Sequence, residues 1–228
     1  MINKFNDYRY EKKFTVPFSQ QYLIPKIISS NRMRFIKQYE SRKVNSIYLD
    51  TNDLTFYREN LEGLSSRKKL RIRWYNDLNK KTKIFFEIKQ KNNELGFKKI
   101  YKLENNFENQ NQLEEFERIC KSLINLKISS EINSLLYKIK PKIIISYIRK
   151  YFISNICNCR MTLDTQLSYS MIDIDRKDIW KDNQKNNEMV IELKYPINID
   201  QKVLNDNFHL QFRLSKNSKY VNGINKYY

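Results

Sequence analysis

Charged side chains that could bind an anion alternate with apolar residues in two neighbouring stretches of the sequence. Arg71 and Arg73 do so in the first stretch, and Glu87, Lys89 and Lys91 in the second. A period of two is typical of β-strands, so each stretch is predicted to place its charges on one face of a sheet. Arginine binds phosphate in a bidentate manner and lysine acts as a point charge. These rows therefore indicate an anion-binding face.

The same alternation recurs in four further stretches. Their charged or polar members are Arg9, Glu11, Lys13, Tyr147, Arg149, Arg160, Thr162, Asp164, Glu192 and Lys194. One or two such strands would normally form the solvated face of a sheet. Six strands that mix basic residues with single acids favour a shared basic surface with embedded carboxylates. The interior of a barrel that binds a polyanion would produce this pattern.

The charge balance indicates an anionic partner. The formal net charge is +18 and the sequence pI is near 9.7. A chain this basic is expected to bind nucleic acid, an anionic membrane or phosphate compounds. Non-specific nucleic-acid binding would predict basic tails or external patches. Because the arginines lie within alternating strands instead, a formed binding site is favoured.

Length and composition predict a folded chain. With 228 residues, 40% of them hydrophobic, the chain is long enough for one large domain or two small ones. The alternating stretches also predict further strands at residues 8–17, 35–39, 44–49, 97–103, 142–152, 156–171 and 187–195, the penultimate one bent near Thr165. Only three glycines occur in the chain, which excludes a glycine-rich phosphate loop.

Cysteine usage and hydropathy predict a cellular setting. Cys157 and Cys159 form a C-x-C pair without a second pair, and His209 is distant in sequence, so a zinc site is not expected. With Cys120, the odd cysteine count favours a reducing compartment. The first residues lack a signal core, and no apolar run approaches the roughly 20 residues of a membrane helix. We therefore expect a soluble, cytoplasmic protein that would reach a membrane only through a partner.

Helices are predicted at four places that bear on the site. A helix is expected from Ser19 to about Ile28, with Tyr22, Leu23, Ile27 and Ile28 on its buried side. Asp50 or Thr51 should cap a helix that ends before Gly63. Residues 112–128 and 130–139 read as two more helices. The first of these carries a core-facing stripe of Leu113, Phe116, Ile119, Leu123 and Leu126.

Nine segments together resemble a known family. In chain order they are Arg9-x-Glu11-x-Lys13, residues 46–51 (Ser-Ile-Tyr-Leu-Asp-Thr), 57–63, 69–75 (Lys-Leu-Arg-Ile-Arg-Trp-Tyr), 86–89 (Phe-Glu-Ile-Lys), 141–149, 160–165, 190–194 and Ser218-Lys219-Tyr220-x-x-Gly223. In this order they resemble the catalytic domain of vacuolar transporter chaperone (VTC) proteins. That family consists of polyphosphate polymerases within the triphosphate tunnel metalloenzymes. The related triphosphatases carry Glu-x-Glu-x-Lys, so Arg9 favours the VTC branch.

The resemblance implies a fold and an activity. It implies an α+β fold, a closed antiparallel eight-stranded β tunnel barrel with peripheral helices, formed as a single domain over residues 1–228. It implies transfer of the γ-phosphoryl group of ATP to a growing inorganic polyphosphate chain, with Mn²⁺ or Mg²⁺ as cofactor. ATP and polyphosphate would be the ligands, and no specific nucleic acid would be bound.

The residues and the resemblance together give a predicted site. The principal phosphate ligands, which would neutralise charge during catalysis, are Arg71, Arg73, Lys89, Arg149 and Lys194. Further phosphate contacts are predicted for Lys13, Lys91, Arg160, Tyr147, Ser218 and Lys219. Glu192 is the first candidate metal ligand, followed by Glu11 and Glu87.

Each of these assignments has a structural alternative. Glu11 and Glu87 could equally pair with lysines and orient them. Tyr147 could pack in the core, and Ser218 could cap the terminal helix. Lys98 and Lys99 are better explained as an exposed strand edge than as part of the site.

Two other functions fit the same residues. One is hydrolysis of triphosphate or short polyphosphate, because water and a phosphate chain end differ only in which acceptor the site admits. The other is a non-catalytic polyphosphate-binding module. The joint presence of three arginines, Glu192 and Lys194 favours an active enzyme.

Overall fold

The computed structural model describes most of the chain. The described residues are 9–79, 81–93, 95–104, 112–126, 128, 130–156, 158–181, 186–196, 198–199, 202, 206–208, 210 and 212–227. Cys157 and His209, to which the sequence assigns no metal site, lie outside these residues. All structural statements below concern the described part of the chain.

Nine strands of the described chain form one sheet. They are β1 (Arg9–Pro17), β2 (Phe35–Asp50), β3 (Ser66–Tyr75), β4 (Ile84–Asn92), β5 (Leu95–Leu103), β6 (Lys140–Ser154), β7 (Cys159–Asp173), β8 (Asp178–Lys181) and β9 (Glu188–Pro196). Their hydrogen-bonded order is β1-β9-β7-β6-β2-β3-β4-β5, with β8 paired to β7. The strand pairs β1–β9, β7–β9, β2–β3, β3–β4 and β4–β5 are all antiparallel. The α+β class is thus confirmed, whereas closure into an eight-stranded barrel stays a prediction.

Two of the predicted strand details can be compared directly with this sheet. The two separate strands expected at residues 35–39 and 44–49 are one continuous strand, β2. The bend expected near Thr165 is present in β7, where Gln166 has a φ of 53°. The residue after Thr165 therefore leaves the extended conformation although the strand continues.

Short helices surround the sheet. They are α1 (Ile24–Ser29), α2 (Thr55–Glu62), α3 (Gln112–Ser122), α4 (Ser130–Leu136) and α5 (Lys219–Ile224), with 3₁₀ helices at Phe18–Leu23 and Leu123–Asn125. No helix in the described residues is both long and apolar enough to cross a membrane.

The helix predicted from Ser19 to Ile28 is divided in the structure. A 3₁₀ helix ends at Leu23 and α1 begins at Ile24, with Pro25 in its first turn. Proline has no N–H to donate and is tolerated only in the first turn of a helix, so a new helix begins there. As a result Tyr22 is 73% exposed and Leu23 is 36% exposed, and their predicted burial is wrong. Ile28 is buried as expected.

The described chain forms two compact units. Unit 1 comprises residues 1–43, 147–167 and 185–217, and unit 2 comprises residues 44–146, 168–184 and 218–228. Strands β2, β6 and β7 contribute residues to both units. Each unit has its own hydrophobic core and its own group of charged side chains, which are described separately.

The core of unit 2 forms on the apolar face of the arginine strand, as the alternation predicts. Leu70 and Ile72 of β3 are buried together with Phe86 of β4. Helix α3 covers this face with Phe116 and Ile119. The predicted core-facing stripe of α3 is therefore confirmed. Burial of these apolar residues leaves the alternate, charged positions of β3 and β4 on the opposite face.

Asp50 caps helix α2 with its side chain as the sequence predicts, but the helix begins only at Thr55. Asp50 Oδ1 accepts from the backbone N–H of Phe56 (2.9 Å) and its Oδ2 accepts from the N–H of Tyr57 (2.8 Å). The helix ends at Gly63, whose φ of 73° is the left-handed conformation that favours glycine at a helix end. The end of β2 is thereby fixed next to the charged face of β3.

The core of unit 1 is built in the same way from β1, β7 and β9. Phe14, Met161 and Ile191 are buried on one face of these strands, together with Phe208. Cys159 is buried at the start of β7 and is disulfide-bonded. The cysteines therefore give no support to the prediction of a reducing compartment.

Candidate functional site

The charged face of unit 2 is fixed by strand register. Arg71 of β3 lies opposite Glu87 of β4 on one side and opposite Tyr48 of β2 on the other. Arg73 lies opposite Ser46 of β2. Directly opposite residues of an antiparallel pair point to the same face of the sheet. The two predicted arginines and Glu87 are thus brought together on the face opposite the core.

Glu87 is the centre of a cation group that we call the Glu87 cluster (Glu87, Arg71, Arg73 and Lys98). Its Oε2 accepts from Arg71 Nε (2.6 Å) and also lies 2.6 Å from Arg71 Nη2. Its Oε1 accepts from Lys98 Nζ (2.8 Å) and from Arg73 Nη1 (3.4 Å). The Glu87 side chain is only 5% exposed. One buried carboxylate therefore orients three cationic side chains.

This convergence changes the protonation of its members. Burial alone would raise the pKa of Glu87, but Arg71, Arg73 and Lys98 lower it well below the ordinary value of 4.5. Burial and the positive charges of Arg71 and Arg73 lower the pKa of Lys98 to about 7, and Glu87 opposes this shift only in part. Lys98 therefore gains or loses its proton near neutral pH.

Lys89 and Lys91 continue the charged row of β4. Lys89 lies opposite Lys69 of β3 and opposite Lys98 of β5, and it is exposed. Lys91 lies opposite Arg67 and is half-buried. Like charges directly opposite one another are unfavourable, which indicates that this face would be stabilised by a bound anion.

Helix α5 contributes the residues predicted at the end of the chain. Ser218 caps the helix, since its Oγ accepts from the N–H of Val221 (3.3 Å). The same oxygen accepts from Lys69 Nζ (2.8 Å). Lys219 lies close enough to Tyr48 to lower the pKa of the Tyr48 hydroxyl. The alternative of a helix cap is thus confirmed for Ser218.

Unit 1 carries a second group, which we call the Arg149 cluster (Arg149, Asp164, Glu192 and Lys194). Arg149 Nε donates to Asp164 Oδ1 (2.6 Å) and its Nη2 donates to Asp164 Oδ2 (2.7 Å). Arg149 Nη2 also lies 3.7 Å from Glu192 Oε2, and Lys194 Nζ lies 2.7 Å from Glu192 Oε1. Burial would lower the pKa of Arg149, but Asp164 and Glu192 raise it well above its ordinary value. The guanidinium is charged and held by two carboxylates.

Strand β1 places two further predicted residues next to this cluster. Lys13 lies opposite Glu192 and Glu11 lies opposite Lys194. Lys13 Nζ is 2.8 Å from Glu11 Oε1 and donates to the carbonyl oxygen of Asn217 (3.0 Å). Glu11 therefore orients a lysine, as the structural alternative proposed.

The remaining predicted residues of unit 1 differ in exposure. Tyr147 is 3% exposed, and the guanidinium of Arg149 lies 5.1 Å from its ring centroid. The alternative of core packing is thus confirmed for Tyr147, whereas its contact with phosphate stays a prediction. Arg160 is exposed and lies opposite Lys194. Thr162 lies opposite Glu192, and in the described chain its buried hydroxyl has no hydrogen-bond partner.

The carboxylates differ in how well they suit a metal ion. The described residues contain no group of three or more His, Cys, Asp or Glu side chains arranged to hold one. Mg²⁺ bound together with phosphates needs only one or two protein carboxylates. Glu192 and Glu11 fit this need, because register places them diagonally across β9 and β1. Glu87 fits poorly, since both of its oxygens accept from cationic groups.

Two members of these clusters, Asp164 and Lys98, have no role in the sequence-based site, and neither has Tyr48, which contacts Arg71. The exposed strand edge predicted for Lys98 and Lys99 is confirmed, since both are exposed on the terminal strand β5. From this edge the ammonium group of Lys98 also contacts Glu87. The signal that could have found Asp164 and Lys98 is strand register, which alternation within one strand does not contain.

Comparisons with known proteins complete the description. A model of the VTC domain matches residues 8–228. Similar solved structures include a proposed adenylate cyclase from Vibrio parahaemolyticus, 11% identical, covering 89% of this chain and 83% of its own, with a TM-score of 0.49. A proposed adenylate cyclase from Bacillus halodurans is 14% identical, covers 87% of this chain and 84% of its own, and has a TM-score of 0.49. A proposed adenylyl cyclase from Hippeastrum, described as having a dominant triphosphatase activity, is 11% identical, covers 99% of this chain and 96% of its own, and has a TM-score of 0.48. None of the curated proteins matches this sequence.

Proposed function

This chain belongs to the VTC domain family, and we propose that it is a polyphosphate polymerase that transfers the γ-phosphoryl group of ATP to inorganic polyphosphate. Family membership supports an enzyme that acts on triphosphate or polyphosphate. The closed tunnel implied by the resemblance, the cytoplasmic setting and a possible membrane partner protein belong to the same proposal, as does the expectation that no specific nucleic acid is bound.

The observation that carries the proposal is the excess of cations over carboxylate around Glu87. Arg71, Arg73 and Lys98 converge on a single carboxylate. Polyphosphate has closely spaced charges and little shape, so it is recognised by many convergent cations. A pair of unit charges 4 Å apart is worth about 4 kcal/mol near a protein surface and about 1 kcal/mol in bulk water. A preorganised, partly desolvated group of cations is therefore suited to this ligand.

The proposed reaction needs positioning and charge neutralisation, and no covalent nucleophile from the protein. A terminal oxygen of the acceptor chain attacks the γ-phosphorus of ATP. The bond from the γ-phosphorus to the β–γ bridging oxygen breaks, and ADP leaves with the electron pair. Arg71, Arg73 and Arg149 are each proposed to bind phosphate oxygens. Lys89 and Lys194 are proposed to assist them, and Lys13, Lys91, Arg160 and Lys219 to bind other phosphates of the chain.

We propose that Mn²⁺ or Mg²⁺ is held by Glu192, with Glu11 as the second candidate. Both carboxylates have a lysine partner that could be exchanged for a metal ion. A bound divalent ion would neutralise phosphate charge at the reacting group. Glu87 is proposed to position cations and not to bind the metal.

The test is an incubation of purified protein with ATP and Mn²⁺ or Mg²⁺, in which ADP, free phosphate and polyphosphate are resolved. We expect one phosphate unit to be added to polyphosphate for each ADP formed, and we expect both products to be lost in Glu192→Gln. Glu40→Gln is the matched control, because Glu40 is an 85% exposed acid of unit 1 that pairs with Lys37.

The other outcomes separate the alternatives. Free phosphate without polyphosphate would replace the polymerase by a triphosphatase. Tight polyphosphate binding without turnover would leave a binding module. Full activity in Glu192→Gln would overturn the assignment of the metal ligand.

A further inference from the structure

Tyr48 contacts the side of Arg71 that Glu87 does not. Arg71 Nε and Nη2 both contact Glu87 Oε2, and Arg71 Nη1 donates to the Tyr48 hydroxyl (3.1 Å). The guanidinium carbon also lies 5.9 Å from the centroid of the Tyr48 ring. All three nitrogens of Arg71 are thus contacted, and the plane of its guanidinium is fixed by two side chains from two different strands.

Tyr48 is itself held by the terminal helix of unit 2. Its ring stacks on Tyr220 of α5, with centroids 4.9 Å apart and an interplanar angle of 10°. Tyr220 is 1% exposed, and its hydroxyl donates to Asp50 Oδ2 (2.5 Å). Asp50 is the same buried residue that caps α2. A continuous series of contacts therefore runs from the start of α2 through Tyr220 and Tyr48 to Arg71.

We propose that Tyr48 is a positioning residue of the phosphate site, which acts through Arg71 and is held in place by Tyr220. The inference rests on the proposed function, since it assumes that Arg71 binds a phosphate group. Both tyrosines are buried, at 6% and 1% exposed, but neither belongs to the cluster of buried residues that packs against α3 on the other face of β3 and β4.

The physical reason for such a residue is the flexibility of arginine. An unrestrained arginine loses rotamer entropy when it is fixed on a ligand, and this loss weakens binding. A guanidinium that is already oriented by Glu87 and Tyr48 does not incur this cost when phosphate binds. Preorganised donors also require no rearrangement as charge develops in the reaction.

The environment of Tyr48 adds a pH signature. Burial would raise the pKa of the Tyr48 hydroxyl, but Arg71, Arg73 and Lys219 outweigh burial and lower it from 10.0. The other charged or titratable groups of these contacts are Glu87, which neutralises Arg71 in part, and Tyr220 with Asp50. A Tyr48 phenolate would neutralise the nearby arginines, so phosphate binding should weaken as the pH rises through this lowered pKa.

The test measures the dissociation constant of inorganic triphosphate by titration calorimetry, together with kcat and KM for ATP, in the full chain. Tyr48→Phe keeps the ring stack and removes the hydroxyl, and we expect a dissociation constant about tenfold higher, a higher KM and a weaker alkaline loss of binding. Tyr220→Phe keeps the stack and removes only the bond to Asp50, so its effect should be smaller. Tyr227→Phe is the control, because the hydroxyl of Tyr227 donates to the backbone carbonyl oxygens of Tyr169 and Trp180.

Each outcome decides the question. A purely structural role would lower the folded fraction of Tyr48→Phe while leaving KM, the dissociation constant and the alkaline limb of the folded protein unchanged, and this result would overturn the inference. If Tyr48→Phe does not fold, Tyr220→Phe must show the higher dissociation constant, and unchanged binding there overturns the inference as well. Absence of triphosphate binding by the wild-type chain would overturn the proposed function together with it, whereas wild-type binding with unaffected variants overturns the positioning role alone.

Discussion

The Glu87 cluster of unit 2 and the Arg149 cluster of unit 1 are built from the same residue types in opposite arrangements. The first has a carboxylate at its centre and cations around it, and the second has a guanidinium at its centre and carboxylates around it. In the first, one carboxylate is contacted by Arg71, Arg73 and Lys98. In the second, the Arg149 guanidinium is contacted by Asp164 and Glu192, and Glu192 also by Lys194. Both centres are buried, so neither arrangement is an ordinary surface ion pair.

The exchange gives the two clusters different net charges. The Glu87 cluster has three cations and one carboxylate, so it keeps a net positive charge that attracts an anion, and this charge is larger when Lys98 is protonated. The Arg149 cluster has two cations and two carboxylates. A neutral cluster with exchangeable carboxylate partners is better suited to accept a divalent cation together with phosphate. Under the proposed function, phosphate recruitment would therefore fall mainly to unit 2 and metal binding to unit 1.

The largest expected effect comes from removing the central carboxylate of unit 2. Glu87→Gln leaves three cations around a neutral side chain that is 5% exposed in the wild type. Breaking a buried ion pair by removing one partner costs about 3–5 kcal/mol. We expect a loss of that size in the free energy of unfolding at pH 7, measured by urea denaturation.

Glu11→Gln is the matched control for this change. The Glu11 side chain is 21% exposed and pairs with Lys13, so the loss should be at most about 1 kcal/mol. The expected pH dependence of the free energy of unfolding follows from the lowered pKa of Glu87. The folded-state pKa of Glu87 is lowered below 4.5, so its stabilisation is complete above pH 4.5 and is lost as the pH falls through the folded-state pKa. Equal stability losses in the two variants would contradict the central role of Glu87.

The second prediction concerns the corresponding centre of unit 1. Asp164→Asn removes the carboxylate that binds Arg149 at two points. Hydrogen bonds to charged groups contribute about 1.5–3 kcal/mol, and Glu192 Oε2, 3.7 Å from Arg149, remains as a second carboxylate. We therefore expect a loss of about 2 kcal/mol in the free energy of unfolding, smaller than for Glu87→Gln.

The control here is Asp175→Asn, because Asp175 is 90% exposed and its ion pair with Lys140 is long, at 3.9 Å. Its stability should change by less than about 0.5 kcal/mol. A loss in Asp164→Asn that equals or exceeds that of Glu87→Gln would show that Glu192 does not compensate, and the proposed difference between the two centres would be wrong.

The sequence predicts the faces of the strands better than the contacts between them. Alternation places Arg71 and Arg73 on one face of β3, and Leu70 and Ile72 on the other face. The structure confirms this, because burial of the apolar face leaves the arginines on the opposite face of the strand. The cap of α2 by Asp50 is local in sequence and was equally predictable.

Contacts that depend on register could not be predicted in the same way. Asp164 pairs with Arg149 across β7 and β6, and Lys98 reaches Glu87 from β5. Both pairings require knowledge of which residues lie side by side on different strands, and a shift of one residue would have moved either side chain to the other face. The sequence therefore predicts most of the cations of the two clusters, and Glu87 as a residue that could orient cations, but it does not predict the orienting role of Asp164.

The smallest expected effect is a pH dependence of triphosphate affinity that arises in the Glu87 cluster. Because the pKa of Lys98 is lowered to about 7, the Glu87 cluster loses one positive charge as the pH rises through neutrality. Triphosphate favours the protonated lysine, so its affinity should fall by about fivefold between pH 6 and pH 8.5, in calorimetric titrations at low salt. Lys98→Met should lack this part of the pH dependence, and the ionisation of triphosphate itself is common to both proteins.

The free energy of unfolding of the ligand-free protein should instead rise with pH as Lys98 loses its proton. The folded-state pKa of Lys98 lies below 10.5, so the unfolded chain binds more protons between pH 7 and pH 10.5, and the Lys98 contribution becomes less unfavourable as the pH rises. Lys194→Met is the comparison in the Arg149 cluster, where the lysine is 39% exposed, and this variant should keep the neutral-pH step in triphosphate affinity that Lys98 produces. A neutral-pH step that survives in Lys98→Met and disappears in Lys194→Met would reverse the assignment of phosphate recruitment to unit 2.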